Sequence, residues 1–245
     1  MAIYSEPRLL PAGDLAISVE LADEISREAN ARVLTLERLL GDARLPGIVE
    51  MLPTFRALLI QYDPQELAWD ELCVRLRALV PRLAGAAPPP GRWVDLPCAY
   101  GGEHGPDLEE VARRLDLAAD DVVRLHAGAE YLVYFIGFTP GLPYMTGMPE
   151  RLSIPRLDRP RTKTPPGSVG IGGTQCSIYS VESPGGFWLL GRTPLALYDP
   201  GVSDPILLRP GDRVRFRPID AEEFGVIAAA VAAGTYQPEI ASESR

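Results

Sequence analysis

The chain has 245 residues, 46% hydrophobic and 23% charged, enough to bury one large or two small cores without cross-links. A formal net charge of −9 opposes binding to a nucleic-acid backbone. The three cysteines (Cys73, Cys98 and Cys176) have neither the even count of a disulfide framework nor CxxC spacing, and they are expected to be buried small hydrophobes.

The start, MAIYSEPRLLPAGD, lacks the basic residues and apolar run of a secretory leader, so a cytoplasmic protein is expected. No run of about eighteen apolar residues occurs, so no membrane span is expected either. Residues 15–21 read as a strand. Ile25, Ala29, Val33, Leu36, Leu39 and Leu40 then recur at helical spacing, predicting a helix that ends near Gly41. Residues 48–52 and 57–62 read as two further strands, separated by Pro53-Thr54. Asp63-Pro64 reads as a helix start, with Leu67, Leu72, Leu76, Leu79 and Val80 as the buried stripe. The order predicts a small ferredoxin-like α/β domain over residues 1–85, followed by a proline-rich linker at 86–91.

Beyond the linker, 93–100 reads as a strand, and 107–115 and 120–126 as two short helices, the second capped by the acidic pair before Val122. Short apolar runs punctuated by Gly and Pro follow at 131–138, 177–181, 188–190, 195–198 and 213–216, predicting a β-barrel over 92–220. Residues 221–245 read as a C-terminal helix (221–233) and a tail whose last dozen residues are expected to be disordered. The overall class is therefore α+β.

No P-loop, GxSxG elbow, HExxH helix or kinase signature occurs, and His104 and His126 are the only histidines, which excludes a histidine-based metal cluster. His126 follows a helical stripe and reads as a capping or partner-contact residue, whereas His104 lies among turn residues and receives no role. Arg151, Arg156, Arg159, Arg161 and Lys163 crowd one proline-rich loop, which reads either as a solvated loop or as an anion-facing one. Around it, residues 137–145, 160–179 and 181–194 are dense in Gly and Pro and interleaved with Phe138, Tyr144, Phe187 and Trp188. Each Gly or Pro suits a tight turn, but the segment also carries Arg161, Lys163, Gln175, Glu182 and Arg192, which no turn requires.

Gly137-Phe138-Thr139-Pro140-Gly141-Leu142-Pro143-Tyr144, Pro165-Pro166-Gly167-Ser168-Val169-Gly170-Ile171-Gly172-Gly173-Thr174-Gln175, Glu182-Ser183-Pro184-Gly185-Gly186 and Gly191-Arg192-Thr193-Pro194 together resemble the signature of the KipI/PxpB family, also called allophanate hydrolase subunit 1 domains. LPAGDLAI, YGGEHGPDLEEVA and LLRPGDRVRF fit it too, in order along the chain. Leu142 stands where Phe is usual, Cys176 where Thr is, Ser180 where Pro is common, and His104 often corresponds to Phe. The resemblance implies a small α/β domain followed by a cyclophilin-like β-barrel domain. It also implies a non-autonomous subunit that joins a larger barrel subunit and a third subunit to convert 5-oxo-L-proline to L-glutamate with ATP and Mg²⁺. Two alternatives stay open under it: a binding module that masks a histidine kinase, and a urea-carboxylase or allophanate-hydrolase relative. A prolyl isomerase rests on fold analogy alone.

Within those motifs, side-chain chemistry marks Arg161, Lys163 and Arg192 as the cations expected to stabilise charge when a lactam oxygen is phosphorylated. Tyr144, Gln175, Glu182 and Phe138 are the expected substrate-binding residues.

Overall fold

In a computed structural model the chain is described over residues 3–84 and 91–242, and forms two compact units, residues 1–90 and 91–245. The expected linker at 86–91 lies, apart from Gly91, outside the described residues.

In the first unit, β1 (Ile3–Pro11), β2 (Ala16–Ala22), β3 (Ile48–Pro53) and β4 (Ala57–Tyr62) make an antiparallel sheet of order β1-β2-β4-β3. Helices α1 (Arg27–Ala43) and α2 (Trp69–Leu79) cover one face of it. Ile17, Val19, Leu58 and Ile60 point to that face because side chains alternate along a strand. They meet Val33, Leu36, Leu72 and Leu76, and each such buried side chain contributes about 2 kcal/mol.

The start of α1 is set by Ser26, whose hydroxyl accepts from Ala29 N at 3.0 Å. Ile25 therefore stands outside the helix and is exposed. The helix also runs past Gly41 to a left-handed Arg44.

Two local expectations are corrected. Strand β1 precedes the first expected strand, and its half-exposed run with Pro7 and Pro11 has no clean alternation to announce it. Asp63-Pro64 starts a turn, not a helix: Asp63 Oδ1 accepts from Gln65 N at 2.8 Å and Asp63 O from Leu67 N at 2.9 Å. Helix α2 begins only at Trp69.

The second unit is a closed barrel of seven strands. They are β5 (Arg92–Tyr100), β6 (Tyr131–Ile136), β7 (Pro143–Thr146), β9 (Ser168–Gly172), β10 (Gln175–Ile178), β12 (Trp188–Arg192) and β13 (Arg213–Ile219). Their order is β12-β9-β10-β7-β6-β13-β5, and β5 closes the ring by pairing Ala99 and Tyr100 with β12. Val94, Leu96, Val133, Ile171, Leu190 and Val214 fill the interior. A two-stranded ribbon of β8 (Arg161–Thr164) and β11 (Ser183–Gly185) stands beside the barrel, with α3 (Leu108–Leu115), α4 (Ala119–Ala127) and α5 (Ala221–Ala232) as the helices of this unit.

Helix α4 starts after Ala118 without a side-chain cap, so Asp120 and Asp121 are first-turn acids at the positive end of the helix rather than caps. Residues 195–198 form a bridge to Ile206 at Tyr198 and not a strand. The tail expected to be disordered carries β14 (Glu239–Ser242), which pairs antiparallel with the first half of β5 and satisfies backbone groups that β12 does not reach. Among the described residues, no helix is long and apolar enough to cross a membrane.

Candidate functional site

Phe138, Leu142, Tyr144, Tyr179 and residues 184–187 of the Gly- and Pro-rich segments line one cavity of the second unit. After β6 the chain turns at residues 137–142, where Gly137 N donates to Leu142 O at 3.0 Å and Thr139 N to Gly137 O at 2.8 Å. This turn holds Phe138 at φ 65°, a left-handed conformation costly for a bulky residue, and the residue is 65% exposed. Phe138 forms part of the mouth of a cavity of about 210 Å³ whose walls are Leu142, Tyr144, Leu157, Pro160, Tyr179 and Phe187. Tyr144 is stacked on Phe135 with centroids 4.3 Å apart.

Glycines make this cavity possible. A Cβ on Gly172 would meet Phe187 Cδ1 at 2.8 Å and Arg156 Cγ at 2.9 Å, and one on Gly185 would fall 2.0 Å from Tyr179 Oη. Leu157 N donates to Gly186 O at 2.8 Å and ties the basic loop to the far wall.

The polar groups here are few. Burial raises the pKa of the Tyr179 hydroxyl, with a hydrogen bond from the Phe187 backbone and the charges of Arg156 and Arg161 acting against it. It therefore stays protonated at neutral pH and can both donate and accept. Ser177 Oγ donates to Pro143 O at 2.8 Å, which occupies its proton and marks it as structural. Among the described residues lining the cavity, Arg156 alone is charged. Its guanidinium donates to Gln175 Oε1 at 2.9 Å and lies 4.9 Å above the Phe187 ring.

The three cations expected to act together have three separate partners. Arg161 donates to Asp107 Oδ1 at 2.6 Å and to Phe187 O at 3.2 Å. Lys163 pairs with Glu182 at 3.0 Å across the β8–β11 ribbon, both largely exposed. Arg192 donates through Nε to Pro166 O at 2.8 Å and lines a second, more open cavity of about 590 Å³ with Glu182, Thr193, Tyr198 and Phe224. Of the expected binding residues, Phe138 and Tyr144 line the first cavity, Gln175 supports it through Arg156, and Glu182 belongs to the second.

Arg156 and Tyr179 are site residues that the motifs do not single out. Arg156 is one of five basic residues in its loop, and only the fold places it over Phe187.

His126 is also placed differently from expectation. It is 0% exposed inside the barrel, with Tyr100 Oη 2.8 Å from Nδ1 and Cys176 Sγ 3.4 Å from Nε2. Burial pulls its pKa down to about 3, so the ring is neutral and bridges two buried partners. It is therefore a core residue and not one that meets a partner at the surface. All three cysteines are buried and free, as expected of small hydrophobes, although Cys176 also meets this ring.

The resemblance also implies Mg²⁺ and ATP, and the residues of these two cavities do not fit Mg²⁺. Mg²⁺ takes carboxylate oxygens, yet the first cavity has none among the described residues, and the single carboxylate of the second, Glu182, is held by Lys163. Among the described residues, no group of three or more His, Cys, Asp or Glu is gathered that could hold a metal.

The family described as carboxyltransferase domain, subdomain C and D, matches residues 7–208. A Bacillus subtilis protein named as a subunit of 5-oxoprolinase is 39% identical over 223 residues, covering 86% of this chain and 92% of that protein. Among solved structures, TTHA0988 superposes with a TM-score of 0.74 at 39% identity, covering 84% of this chain and 40% of its own. The urea amidolyase of Kluyveromyces lactis superposes with a TM-score of 0.78 at 25% identity, covering 98% of this chain and 16% of its own. This chain thus spans most of the bacterial relative but two-fifths or less of the two solved chains. With the family match running over most of its length, the chain belongs to the carboxyltransferase domain, subdomain C and D, family.

Proposed function

We propose that the chain is the non-autonomous subunit of an ATP-dependent 5-oxoprolinase that converts 5-oxo-L-proline to L-glutamate. The observation that carries this reading is the cavity walled by Tyr144, Leu142, Leu157, Tyr179 and Phe187, with the single cation Arg156. A small, flat, mostly apolar ring with one polar edge and one negative charge matches those walls in size and character. The name of the Bacillus subtilis relative supports the same substrate.

The residues also argue that the chain does not act alone. A lactam carbonyl is a poor electrophile, so opening it needs activation of the carbonyl and a nucleophile with its base. Among the described residues, the cavity contains no carboxylate, histidine, lysine or cysteine, and the Ser177 hydroxyl is spent on Pro143 O. What this chain can do is bind and orient the ring, exclude water from its apolar edge, and hold a proton at Tyr179 Oη against the amide. Activation by ATP, its Mg²⁺ and the attacking group then come from a larger barrel subunit and a third subunit.

The reading is tested by 5-oxoproline-dependent ATP hydrolysis with this chain alone, with the larger barrel subunit, and with all three. Turnover in the complete mixture only is expected. No turnover with folded, associated subunits would abandon the oxoprolinase assignment in favour of a binding module.

A further inference from the structure

Arg156 differs from Arg161 of the same loop, which holds the carboxylate of Asp107. Arg156 holds none among the described residues. It spends one Nη2–H on Gln175 Oε1, a neutral acceptor, and rests its planar face on the Phe187 ring. Gly172 is what lets the Arg156 stem and Phe187 approach, since a Cβ there would strike both at under 3.0 Å. The guanidinium, exposed at the edge of the cavity it lines, is thus oriented by Gln175 and the Phe187 ring, while most of its N–H fork is not spent on this chain.

A positive charge without a counter-charge, at a cavity whose other lining residues are uncharged, selects for a ligand that brings its own anion. We infer that Arg156 is the specificity-determining residue of this cavity, binding the carboxylate of a small cyclic amide acid, with Gln175 as its positioning residue. This deepens the oxoprolinase reading and rests on it for the identity of the ligand. It assigns the carboxylate to Arg156 and leaves the amide edge to Tyr179. Lys163, Arg161 and Arg192 take no part, because the first two are paired with Glu182 and Asp107 and the third lines the other cavity.

The test is equilibrium binding to the folded full chain, using 5-oxoproline and 2-pyrrolidinone, the same ring without its carboxylate. The wild-type chain is expected to prefer 5-oxoproline by about 10- to 100-fold, the range of a charge-assisted bidentate contact. Arg156→Gln is expected to abolish that preference with an unchanged melting temperature. Arg156→Lys should keep only part of it, since an ammonium cannot offer the fork, and Arg151→Gln on the same loop should keep it whole. Equal affinities in the wild type, an intact preference in Arg156→Gln, or no saturable binding of either compound overturns the inference. Carboxylate selection by Arg156 without turnover in the three-subunit mixture would sink the oxoprolinase reading while leaving the anion site standing.

Discussion

Asp107 and Arg161 face each other at 2.6 Å between carboxylate Oδ1 and guanidinium Nη2, joining the N-terminus of α3 to strand β8. The same carboxylate accepts Leu189 N through Oδ2 at 2.7 Å, so one buried acid fixes a helix, the ribbon and β12 together. Arg161→Leu strands Asp107 without its counter-charge and is expected to cost about 2–4 kcal/mol in denaturant unfolding. Lys163→Ala removes an exposed pair with Glu182 and is expected to change stability by under about 0.5 kcal/mol. A large loss of turnover in Lys163→Ala without a change in stability would restore a catalytic role to that residue.

Gly185 has no room for a side chain, because a Cβ would lie 2.0 Å from Tyr179 Oη. Gly185→Ala must push either the tyrosine or β11 aside. The expected result is a loss of about 1–3 kcal/mol and of ligand binding together. A variant that melts and binds like the wild type would mean that Tyr179 does not stand where the cavity needs it.

His126 makes stability depend on pH in a stated direction. Its folded pKa of about 3 is below the ordinary 6.5, so the unfolded chain takes up a proton that the folded chain refuses. The contribution is fully present above about 6.5 and is lost as pH falls, at a slope of about 1.4 kcal/mol per pH unit, flattening near 3. His126→Gln should flatten that slope between pH 6 and 4 in urea titrations, while costing about 1–3 kcal/mol at pH 7 through the bonds lost to Tyr100 and Cys176. An unchanged slope would show that the ring is not held neutral.

How much of the molecule is legible in its sequence differs from residue to residue. The stripe Val33, Leu36, Leu39 and Leu40 reports α1 directly, because helical spacing is a local property. The clustering of Gly, Pro and aromatic residues marks the right region for the cavity, since glycines such as Gly172 and Gly185 are required by close approaches there. Which arginine faces it is not legible. Arg156 and Arg161 sit five positions apart in one loop, and their fates are decided by Phe187 and by Asp107, the latter 54 residues distant. His126 is legible as part of a helix but not as a core residue, because the burial of α4 depends on Tyr100 and Cys176 from distant strands. The strand in the tail is hidden for a similar reason: its pairing partner is the N-terminal half of β5.

The most direct test fills the cavity. Gly186 lines it, and an added Cβ would make only ordinary van der Waals contacts there, with Pro160 Cγ at 3.7 Å and with Arg156 Cβ and Leu157 O at 3.9 Å. Gly186→Leu therefore places a side chain in the ligand's volume without striking the backbone. In 5-oxoproline-dependent ATP hydrolysis by the complete three-subunit mixture, the wild-type chain should support turnover. Gly186→Leu should reduce it at least about 100-fold with melting temperature and assembly unchanged. Wild-type turnover by the filled variant would contradict the account, because the substrate would then be bound somewhere else.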